Sequence, residues 1–247
     1  MSTHHFELCA FNIQSCLLAD KLGVYRVELC DNPVEGGTTP GYGTIRQVRE
    51  RTGMKLYPIL RPRAGDYFYD DDEIAILEKD IQICKELGCE GISIGVQRID
   101  GEIDTERMKR FVELAYPMGV TCNRAFDATP DPMKALEDLI DCGCERILTS
   151  GQEAGAPQGV VLLKALVKRA GNRIIVMPGA GITAENIGFI QEATAATEFH
   201  GSLRKPVKRF MASANPKVLD SGQVYLPDEK SLSAILDYLR SPAFPAR

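Results

Sequence analysis

Three segments of the chain alternate apolar residues with residues that can do chemistry. In Phe6-Glu7-Leu8-Cys9 the polar pair is Glu7 and Cys9; in Arg26-Val27-Glu28-Leu29-Cys30 it is Arg26 and Glu28, with Cys30 on the same side; further on, Glu198, His200 and Ser202 fall together. A period of two belongs to a β-strand, whose successive side chains point to opposite faces. In a barrel one face meets the surrounding helices and the other fills the lumen. The lumen would then collect Glu7, Glu28, Glu198 and His200, with Arg61 and Arg63 leaving a third strand. Buried carboxylates are costly unless paired, and these two arginines are the expected partners. The cluster suits either an ion-pair network that closes the barrel or a site. Its position toward the carboxyl ends of strands favours the site.

Two further groups belong to the same end. Cys9 and Cys30 are predicted at equivalent heights on neighbouring strands, where two soft thiolates suit Cu(I) better than Zn(II), although paired buried thiols also serve simply as packing. The stretch Val176 to Thr183 runs from a strand into a helix expected to start at about Thr183, with Gly179 and Gly181 letting backbone N–H groups approach an anion. Ser202 and Arg204, after the last strand, would complete such a cradle; a tight turn without a ligand is the alternative. Cys142-Gly143-Cys144 spans a helix end and a strand start, so its thiols should diverge, and Cys16, Cys84, Cys89 and Cys122 are expected to pack. His4 and His5 are expected in a frayed terminus.

The elements that must position these groups are legible as repeated βα units. Short β-branched or aromatic runs lie near Phe6 to Ala10, Val24 to Cys30, Leu56 to Arg61, Gly91 to Val96, Val120 to Asp127, Arg146 to Gly151, Arg173 to Gly179 and Thr197 to Ser202. Between them, Glu73 to Leu87, Glu106 to Tyr116, Asp131 to Asp141, Gln158 to Ala170 and Ala184 to Ala193 carry apolar residues at helical spacing. Gly23, Gly53, Gly88, Gly119, Gly143 and Gly171 each precede a strand, where a left-handed helix cap is expected. No Gly-rich dinucleotide turn follows the first strand, so a closed (β/α)8 TIM barrel is favoured over an open doubly wound sheet. A last helix around Lys230 to Leu239, reached through a looser stretch from Lys205 to Pro227, completes the ring.

The 247 residues match one barrel, which typically takes about 250, and a single domain over 1–247 is expected. A net charge of −5 without clustered Lys and Arg argues against a nucleic-acid partner; the short basic run at Lys205, Lys208 and Arg209 suits a solvated loop. No apolar stretch approaches the ~18 residues of a membrane span, and the first residues have no signal-peptide pattern. The chain is therefore expected in the cytoplasm, away from membranes, with its eight cysteines reduced.

Several motifs together resemble the copper homeostasis CutC family: Glu7-Leu8-Cys9, Arg26-Val27-Glu28-Leu29-Cys30, Gly36-Gly37-Thr38-Thr39-Pro40, Arg61-Pro62-Arg63 with Gly65-Asp66, Arg124-Ala125-Phe126-Asp127, Arg146 to Gly151, and Glu198-Phe199-His200. The resemblance runs to about Arg204 and implies a cytoplasmic TIM barrel, a homodimer or higher homo-oligomer, and copper ligation at Cys9 and Cys30. One residue departs from the family pattern: Asn123 stands where His commonly precedes the Arg of the fifth-strand motif. Two functions follow. One is copper homeostasis through Cu(I) at the two thiols. The other is an enzyme of lyase, isomerase or hydrolase type for a small anionic, phosphorylated or sugar-like substrate. There Glu7 and Glu28 act as acid and base, Arg61, Arg63 and Arg124 neutralise the anion, His200 assists proton transfer and Asp127 holds an arginine.

Overall fold

The computed structural model describes residues 4–207 and 223–241. Eight parallel strands alternate with helices: β1 (His5–Ala10), α1 (Ile13–Leu22), β2 (Arg26–Leu29), α2 (Tyr42–Arg51), β3 (Lys55–Leu60), α3 (Asp71–Glu86), β4 (Gly91–Ile94), α4 (Thr105–Ala115), β5 (Gly119–Cys122), α5 (Pro132–Asp141), β6 (Arg146–Thr149), α6 (Val160–Ala170), β7 (Ile175–Pro178), α7 (Ile187–Thr194) and β8 (Glu198–Gly201). The hydrogen-bonded order runs from β7 down to β1 and on to β8, and β7 and β8 meet at the seam. This is the expected TIM barrel. No helix among the described residues is long and apolar enough to cross a membrane.

Local chemistry fixes where the helices begin. The Asn12 side chain accepts from the backbone N–H of Ser15 at the start of α1, and Asp131 accepts from Met133 and Lys134 with Pro132 in the first turn of α5. At α3, Asp70 and Glu73 exchange bonds with one another's backbone in a full capping box. Of the glycines expected as left-handed caps, Gly23, Gly88, Gly143 and Gly171 take positive φ, whereas Gly53 and Gly119 do not. Gly119 instead gives way to the phenol of Tyr57: a Cβ there would lie 2.6 Å from its oxygen.

After β8 the chain departs from the expected loose stretch. β9 (Arg204–Pro206) pairs antiparallel with β10 (Tyr225–Pro227), which leads into α8 (Glu229–Arg240). Lys208 and Arg209 of the basic run lie outside the described residues. His5, expected to fray, belongs to β1 and stacks on Tyr25 with ring centroids 3.7 Å apart.

The strand registers sort the inward side chains into layers. Pairings such as Cys9 with Glu28, Glu28 with Tyr57, Ser93 with Thr121 and Glu7 with His200 fix the relative heights, and the stagger of an eight-stranded barrel then groups inward residues by alternate strands. From the amino end upward the layers are Arg26, Gly91, Arg146 and Glu198; then Glu7, Tyr57, Thr121 and Met177; then Glu28, Ser93, Leu148 and His200; then Cys9, Ile59, Asn123 and Gly179. The outward residues between them, Leu8, Val27, Leu56, Ile92, Ile147 and Phe199, are fully buried against the helices. That burial supplies the hydrophobic drive for the barrel.

Candidate active site at the barrel mouth

The lowest layers hold a sealed ion network. Arg26 bonds to Glu7 and to Glu198, and Arg146 reaches the Glu198 carboxylate at 2.7 Å and the Thr121 hydroxyl at 3.2 Å. The Tyr57 ring lies beneath both guanidiniums, 5.1 and 5.7 Å from ring centroid to Cζ. Burial alone would raise the pKa of Glu7, but Arg26 and the hydrogen bond from His200 hold it well below the usual carboxylate range.

Above this floor the groups change character. His200 Nδ1 lies 2.8 Å from Glu7 Oε1, and Nε2 lies 3.6 Å from Glu28 Oε2. Burial opposes a charge on the imidazole, yet Cys9, Glu28 and Glu7 around it raise its pKa well above the ordinary value. Glu28 has no guanidinium in its own layer, and burial pushes its carboxyl up to about 8 against the pull of His200. The Cys9 and Cys30 sulfurs stand 3.7 Å apart, and Cys30 is 3.5 Å from Glu28 Oε2. The bond from Cys30 lowers the Cys9 thiol to about 5, while burial and Cys9 itself push Cys30 well up. Ligand atoms of Cys9, Glu28 and Cys30 all lie within 4.8 Å of one another. The two thiols are adjacent as expected but not at equivalent heights, since the register pairs Cys9 with Glu28 and Cys30 follows the end of β2.

The structure does not bring Arg61 and Arg63 to the lumen carboxylates. Arg61 donates to the carbonyls of Glu35, Gly37 and Gly65, tying the loops after β2 and β3 together. Arg63 turns outward to Glu73 at 2.6 Å and Asp66 at 3.2 Å. The guanidiniums that do neutralise the lumen, Arg26 and Arg146, sit at inward positions of β2 and β6. The alternation that selected Glu28 also pointed to Arg26; for Arg146 the same rule applies, with outward Ile147 as the phase marker.

Asp127 does hold an arginine, accepting from Arg124 Nε at 2.8 Å, but it also accepts from the Thr149 hydroxyl and from the backbone of Ser150 and Gln152. It therefore organises the loop after β6. Arg124 remains half-exposed and also reaches Ser150 Oγ at 3.1 Å. With Cys9, His200, Gly181, Ser202 and Arg204 it lines a cavity of about 510 Å³ at the carboxyl end of the barrel.

The anion cradle takes a different form from the one expected. α7 begins at Ile187 because Asn186 closes a turn first, its side chain accepting from Thr183 N–H and donating to the Gly181 carbonyl. The helix start therefore stands beyond Thr183. Gly179 is needed for packing, since a Cβ there would lie 2.5 Å from Leu148 Cδ1 and 3.4 Å from His200. Arg204 is held on the Pro33 carbonyl at 2.8 Å between the rings of Phe11 and Tyr225. Gly181, at φ +79°, and Ser202 stay on the cavity wall.

The chain as a whole is similar to known proteins. The model of the CutC family matches residues 4–205. The chain belongs to the CutC family. A CutC family protein from Parabacteroides distasonis is 47% identical over 86% of this chain and 88% of its own length, and one from Xanthomonas campestris is 42% identical over 89% and 91%. Among solved structures, the Streptococcus agalactiae CutC, named for copper homeostasis, is 35% identical, with a TM-score of 0.76 over 81% of this chain and 98% of that one. The family match covers all eight barrel strands and ends within the β9 strand, before α8.

Proposed function

We propose that the mouth is the active site of an enzyme that moves a proton on a small anionic substrate. The observation that carries this reading is His200 set between two carboxyls whose environments drive them apart, 2.8 Å from Glu7 and 3.6 Å from Glu28. Glu7, permanently ionised, accepts from Nδ1 and fixes the ring, leaving Nε2 toward Glu28 and the cavity. Glu28, with its pKa near 8, exchanges a proton close to neutral pH, as a general acid or base must. Arg124 at the rim supplies positive charge for an anion. The test is a turnover screen of small carboxylates and phosphate esters followed by proton NMR in D2O. Glu28→Gln and His200→Asn should each lower the rate about 10²- to 10⁴-fold while Arg63→Ala leaves it unchanged. Turnover that survives both changes would overturn the reading.

A specific observation favours a second reading, Cu(I) carried as cargo. The two sulfurs at 3.7 Å, with the Glu28 carboxylate beside them, form a soft pair on neighbouring strands that fits a thiophilic monovalent ion. The name of the streptococcal relative points the same way. Anaerobic Cu(I) titration against a competing chelator should show uptake lost in Cys9→Ser/Cys30→Ser and kept in Glu7→Gln; uptake indifferent to the thiols excludes this reading. Either function suits a cytoplasmic protein, to which eight unpaired thiols give support; a homo-oligomer rests on the family resemblance alone.

A further inference from the structure

Two side chains in the lumen have no role in the reading above. Ser93 stands on β4 in the layer of Glu28 and His200, and Asn123 directly follows the adjacent β5 in the layer over it. Both are almost wholly buried, at 1% and 2% exposure. The Asn123 carbonyl oxygen accepts from the backbone N–H of Ala125 at 2.9 Å, which fixes the amide so that Nδ2 is its free end. Gly95 makes room for that amide, since a Cβ there would lie 2.5 Å from Asn123 Oδ1. Neither Asn123 Nδ2 nor Ser93 Oγ has a partner at hydrogen-bond distance, and the Ser93 hydroxyl lies near enough to the Glu28 carboxyl to favour its ionised form against the effect of burial. A buried donor without an acceptor costs about 1–3 kcal/mol. Two such donors on one wall, beside the acid/base pair, call for an acceptor brought in from outside.

We infer that Ser93 Oγ and Asn123 Nδ2 form a slot for a substrate carbonyl oxygen, making the substrate class a small anionic carbonyl compound that the enzyme enolises. This deepens the acid/base reading and rests on it. The ionised Glu28 carboxylate takes a proton from the carbon next to the carbonyl. The C–H electron pair becomes the C=C bond, and the carbonyl π pair moves onto oxygen, where Ser93 and Asn123 donate to the developing negative charge. Return of the proton from Glu28 to carbon regenerates the carboxylate. Uncharged donors suit this role because they stabilise charge that appears during the reaction without binding the neutral carbonyl strongly beforehand.

Oxalate, a planar dianion that mimics the enolate of a 2-oxo acid, is the probe. Its affinity for the full-length protein is measured by calorimetry in metal-free buffer, alongside Ser93→Ala, Asn123→Asp and Arg124→Ala, each checked by thermal melting. Asn123→Asp keeps the acceptor for Ala125 and removes the donor, so it isolates the slot from the local fold. Ser93→Ala and Asn123→Asp should each weaken oxalate about ten-fold or more, the loss of one hydrogen bond to a charged group. A crystal of the oxalate complex should show one oxygen on both donors. Equal affinity in those two variants, no oxalate binding to the wild type, or an ordered water that keeps both donors in the complex would each overturn the slot. Arg124→Ala separates the two readings: binding that ignores Arg124 but needs Ser93 and Asn123 keeps the slot and removes the anionic rim, and the opposite pattern keeps the rim alone.

Discussion

The lower and upper parts of the lumen use the same residue types at similar burial and put them in opposite states. Below, Arg26 and Arg146 face Glu7 and Glu198, and a guanidinium cannot give up its proton, so the carboxylates stay ionised. Above, Glu28 faces a histidine, a serine and two thiols, all of which can change their protonation or their partners. Burial depth is therefore not what separates a permanently ionised carboxylate from a titratable one here; the permanence of its counter-charge is. The difference also explains why the reactive groups can be as buried as they are: the floor beneath them is already neutralised.

The largest effect should come from breaking the floor. Arg26→Met leaves Glu7 and Glu198 short of a partner and should destabilise the fold by about 3–5 kcal/mol in urea unfolding, because an uncompensated charge remains buried. A loss below about 1 kcal/mol would show that the floor is not an ion network in solution. For the upper part, the pH dependence of stability sharpens the contrast. The folded pKa of Glu28 is raised from 4.5 to about 8, so its stabilising protonation is fully present below about 4.5 and lost as the pH rises toward 8. Wild type should lose stability relative to Glu28→Gln across that window, with a steepest slope on the order of 1.4 kcal/mol per pH unit. A flat difference between the two proteins would place Glu28 with the permanently ionised carboxylates.

The thiols give a finer measure. Cys9, lowered from 9.0 to about 5 and partly exposed, should be alkylated by iodoacetamide near pH 6, whereas buried Cys30 should react only under denaturing conditions. Peptide mass spectrometry reads both sites, and equal labelling would remove the asymmetry between them. The smallest effect is expected at Arg63. Its side chain is 40% exposed and its partners Glu73 and Asp66 lie at the surface, so Arg63→Ala should cost about 0.2–1 kcal/mol in thermal or urea unfolding. A larger loss would mean that it contributes to the mouth after all.

Alternation alone placed Glu7, Glu28, Glu198 and His200 in one lumen and put Cys9 beside Cys30, because strand geometry allows only two directions for each side chain. It could not choose partners. Arg61 and Arg63 follow β3 and looked available, but the loops after β2 and β3 offered Arg61 three carbonyls, and α3 offered Arg63 a carboxylate. Asp127, expected to hold an arginine, does accept from Arg124, and it also holds the loop after β6, which the motif does not show. The expected helix start at Thr183 moved for a similar reason: Asn186 forms a turn of its own before α7.

By itself the sequence determined the eight βα repeats, the closed barrel and the inward placement of Glu7, Glu28, Glu198 and His200, since period, caps and turn glycines are written locally. The tertiary structure decided which charges are neutralised and which are left to titrate. That depends on the stagger between strands, which stacks Arg26, Glu198 and Arg146 in one layer and lifts Glu28 and His200 into another, beyond the reach of any arginine in that layer. It also decided that Ser93 and Asn123 face inward without acceptors, a property that belongs to no residue alone and exists only once the barrel has excluded water from them.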